Sequence, residues 1–212
     1  MYYTIRKTGY GEYEEKKSRF ISEAVCVHSA KEAEEKISLI KKQYYDAKHH
    51  CSAWIIGEKK DSKKAQDDGE PQGTAGLPIL HVMESMDCTD TLVVVTRYFG
   101  GILLGTGGLV RAYTKAATEA LQNAELVCMR KGEMLRLNMA YEFFSQVQYF
   151  VRSKGLKLEG LQYTDHVACL LVVPEEEIGN VEEKLKSISA GKIQMESIEN
   201  GYYCFDKGKG AG

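Results

Sequence analysis

Hydrophobic residues along the chain switch between a period of two and a period near 3.6, and the switches divide it into short alternating elements. Residues 20–27 read as a strand. Ser29-Ala30-Lys31-Glu32 has capping-box spacing, in which the serine and glutamate side chains satisfy orphan backbone donors. Ala33, Ile37, Ile40 and Tyr44 then recur at helical spacing, predicting a helix over about 30–45. A second strand covers 50–57. Residues 58–78 hold lysines, aspartates, glycines and prolines but almost no large apolar side chain, which predicts a long loop. A short helix is expected over 79–86. The run TLVVVTRY at 91–98 is continuous and β-branched, the mark of a central strand buried on both faces. The glycine-rich stretch GGILLGTGG follows, then a helix over about 108–123 with Leu109, Val110, Tyr113, Ala116, Ala117, Ala120 and Leu121 on its core face. Residues 126–130 form another strand.

The second half has a cleaner order. Leu135, Leu137, Met139 and Tyr141 alternate as in a strand, and Phe143, Val147, Phe150 and Val151 mark a helix. Two strands, 156–163 and 167–173, flank a tight turn at Thr164-Asp165-His166. Ile178, Val181, Leu185 and Ile188 mark a second helix, led by Pro174 and three glutamates that suit a helix N-terminus. Residues 193–205 supply the last strand, with an interruption expected at Asn200-Gly201. This βαββαβ order is the ferredoxin-like pattern. The chain therefore reads as α+β, with domains over 1–133 and 134–206, a linker near 131–134 and a disordered tail at 207–212.

Composition narrows the picture. Of 212 residues, 43% are hydrophobic and 27% charged, enough for a normal core and against bulk disorder. No apolar run reaches the roughly 18 residues of a membrane span, and the first ten residues lack an apolar signal core. Six cysteines are scattered without a C-x-x-C pair, and Cys26, Cys51, Cys128 and Cys169 sit in apolar strand segments. Reduced, buried thiols in a cytoplasmic protein fit that pattern. The net charge is −2; residues 134–212 carry 9 basic and 11 acidic side chains, so residues 1–133 are neutral. Any nucleic-acid contact must use a local basic patch.

Three stretches carry candidate chemistry. In the first, a buried strand ends at Arg97, glycines follow, and a helix begins at Gly105-Thr106-Gly107-Gly108. Free N–H groups and a positive partial charge at such a helix start suit an anion, phosphate above all. Thr106 adds a hydroxyl donor, and Arg97 at the strand end, with Arg111 and Lys115, four apart, can hold neighbouring phosphates. The alternative is that the glycines only shape a tight strand-to-helix turn. The stretch is neither a Walker loop nor a dinucleotide fingerprint, since no Gly-Lys-Ser/Thr and no suitably placed acidic residue follows. The second is DDGEPQGTAGLP at 67–78, where Asp67, Asp68 and Glu70 could bind Mg²⁺, pair with Arg97, or cap turns and the next helix. The third is His49-His50-Cys51. In a strand His49 and Cys51 share one face, too few ligands for zinc and without a third group to orient a Cys–His pair, so a histidine lining a groove or packing on Trp54 is the better reading. No residue is assigned a catalytic or metal-binding role, and no cofactor is expected. Tyr2, Tyr3, Tyr10 and Tyr13, and Tyr202, Tyr203 and Phe205, either stack on bases or pack on strands.

Three blocks in this order, Ala47-x-His49-His50-Cys51-x-Ala53-Trp54, DDGEPQGTAGLP at 67–78 and RYFGGILLGTGGLVRAY at 97–113, resemble the YigZ/IMPACT family, and the likeness covers essentially the whole chain. The resemblance implies an N-terminal domain like the second domain of ribosomal protein S5, and a ferredoxin-like C-terminal domain similar to those of elongation factor G. It also implies a link to translation, which the eukaryotic relatives regulate at initiation. By fold analogy the expected partner is RNA or the ribosome, with translation-related proteins beside it and no membrane. The alternatives are a nucleotide-dependent phosphotransferase on the same fold, with Mg²⁺ on Asp67, Asp68 or Glu70, and a protein-interaction module built on residues 58–78.

Overall fold

The computed structural model describes residues 1–205, and the expected disordered tail at 207–212 lies outside them. The chain divides into two compact units, Tyr2–Val127 and a second running from Cys128.

The first unit contains β1 (Tyr2–Lys7), β2 (Gly9–Glu15), β3 (Ser18–Cys26), α1 (Ala30–Gln43), β4 (His49–Ile56), β5 (Ser62–Gln66), α2 (Gly76–Ser85), β6 (Thr91–Tyr98) and α3 (Gly105–Asn123). Five strands form one antiparallel sheet in the order β2-β3-β6-β4-β5. The β-branched strand β6 takes the centre because both of its faces are covered. On one side Val93 and Val95 join Phe20, Cys51, Ala53 and Ile55 against α2 and α3, which contribute Ile79, Met83, Tyr113 and Leu121. On the other, Leu92 and Val94 join Trp54 and Ile56 against Ala33, Ile37 and Ile40 of α1. Ser29 caps α1 by accepting from the Glu32 N–H at 3.2 Å. The Glu32 carboxylate accepts from the His28 N–H, one residue earlier than a strict capping box requires.

The second unit runs through β7 (Glu125–Met139), α4 (Tyr141–Ser153), β8 (Leu158–Tyr163), β9 (Val167–Pro174), a 3₁₀ turn at Glu175–Glu177, α5 (Ile178–Ser189) and β10 (Gln194–Cys204). The element order is βαββαβ, and β10, β7, β9 and β8 pair antiparallel in that order; the fifth strand of this sheet, β1, pairs with β7. Leu135, Leu137, Met139, Cys169 and Leu171 meet Val147, Val151, Val181 and Leu185 in its core.

Several elements differ from the sequence reading. The strands expected at 126–130 and from Leu135 are one strand, β7, which passes without a break through 131–134. Residues 58–78 are not one loop. β5 pairs with β4, and α2 starts at Gly76. This strand is an edge and carries Lys63 and Lys64, which bond Glu84 and Glu34, so it lacks the apolar alternation of a covered strand. Val110 is exposed rather than on the core face of α3. The register shift in β10 falls between Ser197 and Glu199, ahead of Asn200-Gly201. Strand β2 carries glycines and charges, and β1 carries charges, that hid them from pattern analysis.

The glycines of β2 have a packing reason. A Cβ on Gly9 would overlap the Ala120 carbonyl oxygen and the Ala124 backbone, so helix α3 lies on the strand at a distance only glycine permits. Gly9→Ala should therefore lower stability by about 1–3 kcal/mol through overpacking, measured by urea unfolding of the full chain.

Candidate functional site

Strand alternation sorts the His49-His50-Cys51 block. His50 turns toward α1, where Nε2 donates to the Tyr44 carbonyl at 3.0 Å. His49 and Cys51 turn to the side of α2 and α3. Across the ladder His49 lies opposite Arg97. Cys51 Sγ lies 2.9 Å from the Asp67 carbonyl oxygen and 3.2 Å from Tyr113 Oη. Burial pushes this thiol well above its ordinary pKa, which favours the neutral thiol. Burial likewise raises the Tyr113 hydroxyl, reinforced by Cys51 and Glu70.

Arg97 and Glu70 form a buried ion pair. Arg97 Nη1 donates to Glu70 Oε1 at 2.6 Å, and the side chains are 6% and 4% exposed. Tyr113 Oη donates to the same carboxylate oxygen at 2.8 Å. Arg97 Nη2 donates to Ser18 Oγ at 3.3 Å, and the guanidinium lies 5.5 Å from the ring centroids of both Phe20 and Phe99. Its Nε is buried without a partner among the described residues. The sequence reading gave Arg97 to a ligand phosphate; here its guanidinium is engaged inside the protein.

The other two carboxylates of the acidic stretch also serve the fold. Asp67 accepts from the N–H groups of Gly73, Ala75 and Gly76 at 2.8–3.0 Å, replacing the cap that Ala75 cannot give α2. Asp68 accepts from Lys41 Nζ and from the His50 N–H, both at 2.7 Å, with φ of +45°. Burial alone would raise the Asp68 pKa, but Lys41 and His50 outweigh it and hold it below the usual carboxylate value.

A cleft of about 380 Å³ opens beside this network. Its polar lining is Lys48, His49, Glu70, Arg97 and the Gly105-Thr106 pair; Pro71, Phe99, Leu103, Leu104 and Leu109 complete it. The glycines read as a loop before the helix belong to the helix itself. The chain enters α3 through Gly105 at φ +71°, a conformation that side chains rarely adopt. Leu104 gives no side-chain cap, the first turn holds no acidic residue, and Gly105, Thr106 and Gly107 are exposed. The first amides of a helix have no intrahelical acceptor, and Gly105 and Thr106 line the cleft. Arg111 reaches back to this turn, its Nη1 within 3.8 Å of a Cβ placed on Gly107. Gly108 is buried beneath the turn. Lys115 lies further along, 3.3 Å from Tyr13 Oη and 4.9 Å from the centre of that ring. His49, Glu70, Arg97, Gly105 and Thr106 thus meet in one cleft, Gly107 and Arg111 flank it, and His50, Asp67 and Asp68 stand behind its wall. Lys48, Phe99 and Leu103 went unnoticed in the sequence. The available signal was a pair of large apolar residues in a glycine-rich turn, where they are 48% and 82% exposed.

Fold and site together define a two-unit mixed α/β protein whose first unit carries a half-open cleft at an uncapped helix start. The chain belongs to the IMPACT family. Residues 16–121 match the Impact N-terminal domain, and residues 137–192 match a domain of unknown function, DUF1949. It is 38% identical over 201 residues to IMPACT family member YvyE of Bacillus subtilis, covering 95% of this chain and 93% of that one. It is 33% identical to IMPACT family member YigZ of Escherichia coli, covering 87% and 91%. Protein IMPACT of Xenopus laevis is 40% identical over 67 residues, 30% of this chain and 21% of that one. A crystal structure of a hypothetical protein superposes with a TM-score of 0.60 at 30% identity, covering 93% of this chain and 97% of that one.

Removing one partner of a buried ion pair strands the other. Glu70→Ala should cost about 3–5 kcal/mol in chemical denaturation. Asp68→Asn removes an acceptor whose pKa is lowered by folding, so its stabilisation is present above the ordinary carboxylate pKa and is lost as pH falls through the lower folded value. Wild type should exceed the variant by about 1–2 kcal/mol at pH 7 and lose that margin as pH falls below the ordinary carboxylate range, read from unfolding curves across pH.

Proposed function

We propose that this protein binds RNA, free or on the ribosome, through the cleft of its first unit, and that this binding serves translation control in the cytoplasm. The uncapped start of α3 carries the reading. Lys48 and the helix start at Gly105-Thr106 line the cleft, with Arg111 reaching back to Gly107 beside it, and that donor set suits phosphate oxygens. Arg97 and Glu70 act as the wall that positions the helix start, and Gly108 lets it pack. Lys115, held by Tyr13, contacts a phosphate beyond the cleft.

The fold supports the same direction. The βαββαβ order and the strand order β10-β7-β9-β8 favour the ferredoxin-like reading of the second unit. The sheet with α2 and α3 on one face favours the ribosomal protein S5 domain 2-like reading of the first. Family membership ties both to the translation link that the resemblance implies. Among the described residues no helix is long and apolar enough to cross a membrane. The phosphotransferase alternative loses support because Asp67, Asp68 and Glu70 each serve a different internal partner. The docking alternative loses part of its surface to β5 and to the turns held by Asp67.

Binding of single-stranded RNA or ribosomes should weaken as salt rises, by about 0.7 in log K per log salt for each phosphate contacted. Arg111→Glu should weaken it further and flatten that slope. Fluorescence anisotropy titrations from about 50 to 200 mM salt test this, and affinity unmoved by both salt and the variant would reject the reading.

A further inference from the structure

We infer that the cleft takes a ribonucleotide, with its phosphate at the first turn of α3 and its ribose 2′-hydroxyl donating to His49 Nε2. This deepens the RNA-binding reading and rests on it.

The inference starts from the buried histidine. His49 is 9% exposed, and its Nδ1 lies 2.9 Å from the Asp68 carbonyl oxygen. A carbonyl oxygen only accepts, so Nδ1 carries the proton, and in the neutral ring Nε2 is left as an acceptor. That is the one hydrogen bond the ring makes among the described residues, and the ring lines the cleft. Its orientation is fixed from behind. Asp68 is held by Lys41 and by the His50 amide. A nearly buried acceptor facing a cleft calls for a donor.

The rest of the cleft wall says what else the ligand carries. Lys48, the Thr106 hydroxyl and the helix amides are donors and call for an anion, whereas His49 calls for a hydroxyl or N–H. A phosphodiester of DNA brings the anion but no sugar donor. A ribonucleotide brings both within one residue, and the 2′-hydroxyl is the group that separates RNA from DNA. Phe99 supplies the third element: its ring is half-exposed, with Arg97 5.5 Å from its centroid, so it offers a surface on which a base can stack. Phosphate, sugar hydroxyl and base thus each meet a matching group.

The test compares three labelled single strands of about ten nucleotides with identical sequence: RNA, DNA and 2′-O-methyl RNA. Free AMP and dAMP are titrated in parallel to separate a nucleotide ligand from an RNA chain. The full-length wild type should bind RNA about ten-fold more tightly than DNA, the value of one well-placed hydrogen bond, with 2′-O-methyl RNA falling to the DNA level. His49→Phe, checked for folding by circular dichroism, should erase the difference between RNA and DNA. The same preference for AMP over dAMP, with the same loss in His49→Phe, would support the assignment with a free nucleotide as ligand. Equal affinity of the wild type for RNA and DNA, with salt dependence retained, overturns the 2′-hydroxyl assignment while the RNA-binding reading survives; that comparison needs no variant. Binding of none of the five probes overturns both.

Discussion

The Arg97–Glu70 ion pair is the constraint on which the arrangement of the first unit depends. Two opposite charges removed from water are tolerated only when their remaining hydrogen-bonding capacity is also met. Tyr113 supplies a second donor to Glu70, and Ser18 accepts from Arg97. The pair therefore joins four stretches of chain: the end of β6, the acidic stretch before α2, the middle of α3 and the start of β3. Ser18 Oγ also accepts from the Gly100 N–H at 3.2 Å, which draws in the glycine-rich turn. The segment from Gly100 to Tyr113, which holds the start of α3, is thus anchored at both ends to one buried polar cluster.

Charge pairing explains how a neutral domain can present a basic rim. The visible acids are largely spent on neighbours: Asp68 on Lys41, Glu84 on Lys63, Glu34 on Lys64, Glu12 on Arg19. Asp67 is spent on three amides that start α2. Lys48 and Arg111 make no ion pair among the described residues, and the α3 start adds positive partial charge without adding formal charge. A total of zero over residues 1–133 therefore says little about the potential at one place.

The sequence carried most of the architecture because packing wrote it plainly. β6 was legible as an unbroken β-branched run, and α1 and α5 as apolar residues at helical spacing, since each buries its apolar face in the ordinary way. β1, β2 and β5 were not legible. Their residues answer to a neighbouring backbone or to solvent, as Gly9 does under Ala120 and Lys63 does beside Glu84, and no periodicity follows from that. At the site, the residue types were visible and their partners were not. Arg97 and Asp67 each left two readings open, a ligand or a partner inside the fold. Only three-dimensional pairing shows that one faces Glu70 and the other a set of amides, while Lys48, unremarkable in sequence, lines the cleft.

The same pairing separates what the wall of the cleft does from what its rim can do. Arg97, Glu70 and Tyr113 are fixed by one another and leave little freedom to meet a ligand. Gly105, Thr106, Lys48 and Arg111 are exposed and uncommitted, and His49 stands between the two sets with one nitrogen bound and one open. Phe99, Ile102 and Leu103 project from the glycine-rich turn at 44–82% exposure, next to the helix amides. An inorganic anion would leave these apolar surfaces in water, and a purely apolar ligand would leave the amides without acceptors. A ligand that carries flat apolar faces and an anion on one flexible backbone satisfies both, which is the chemical description of a single nucleic-acid strand.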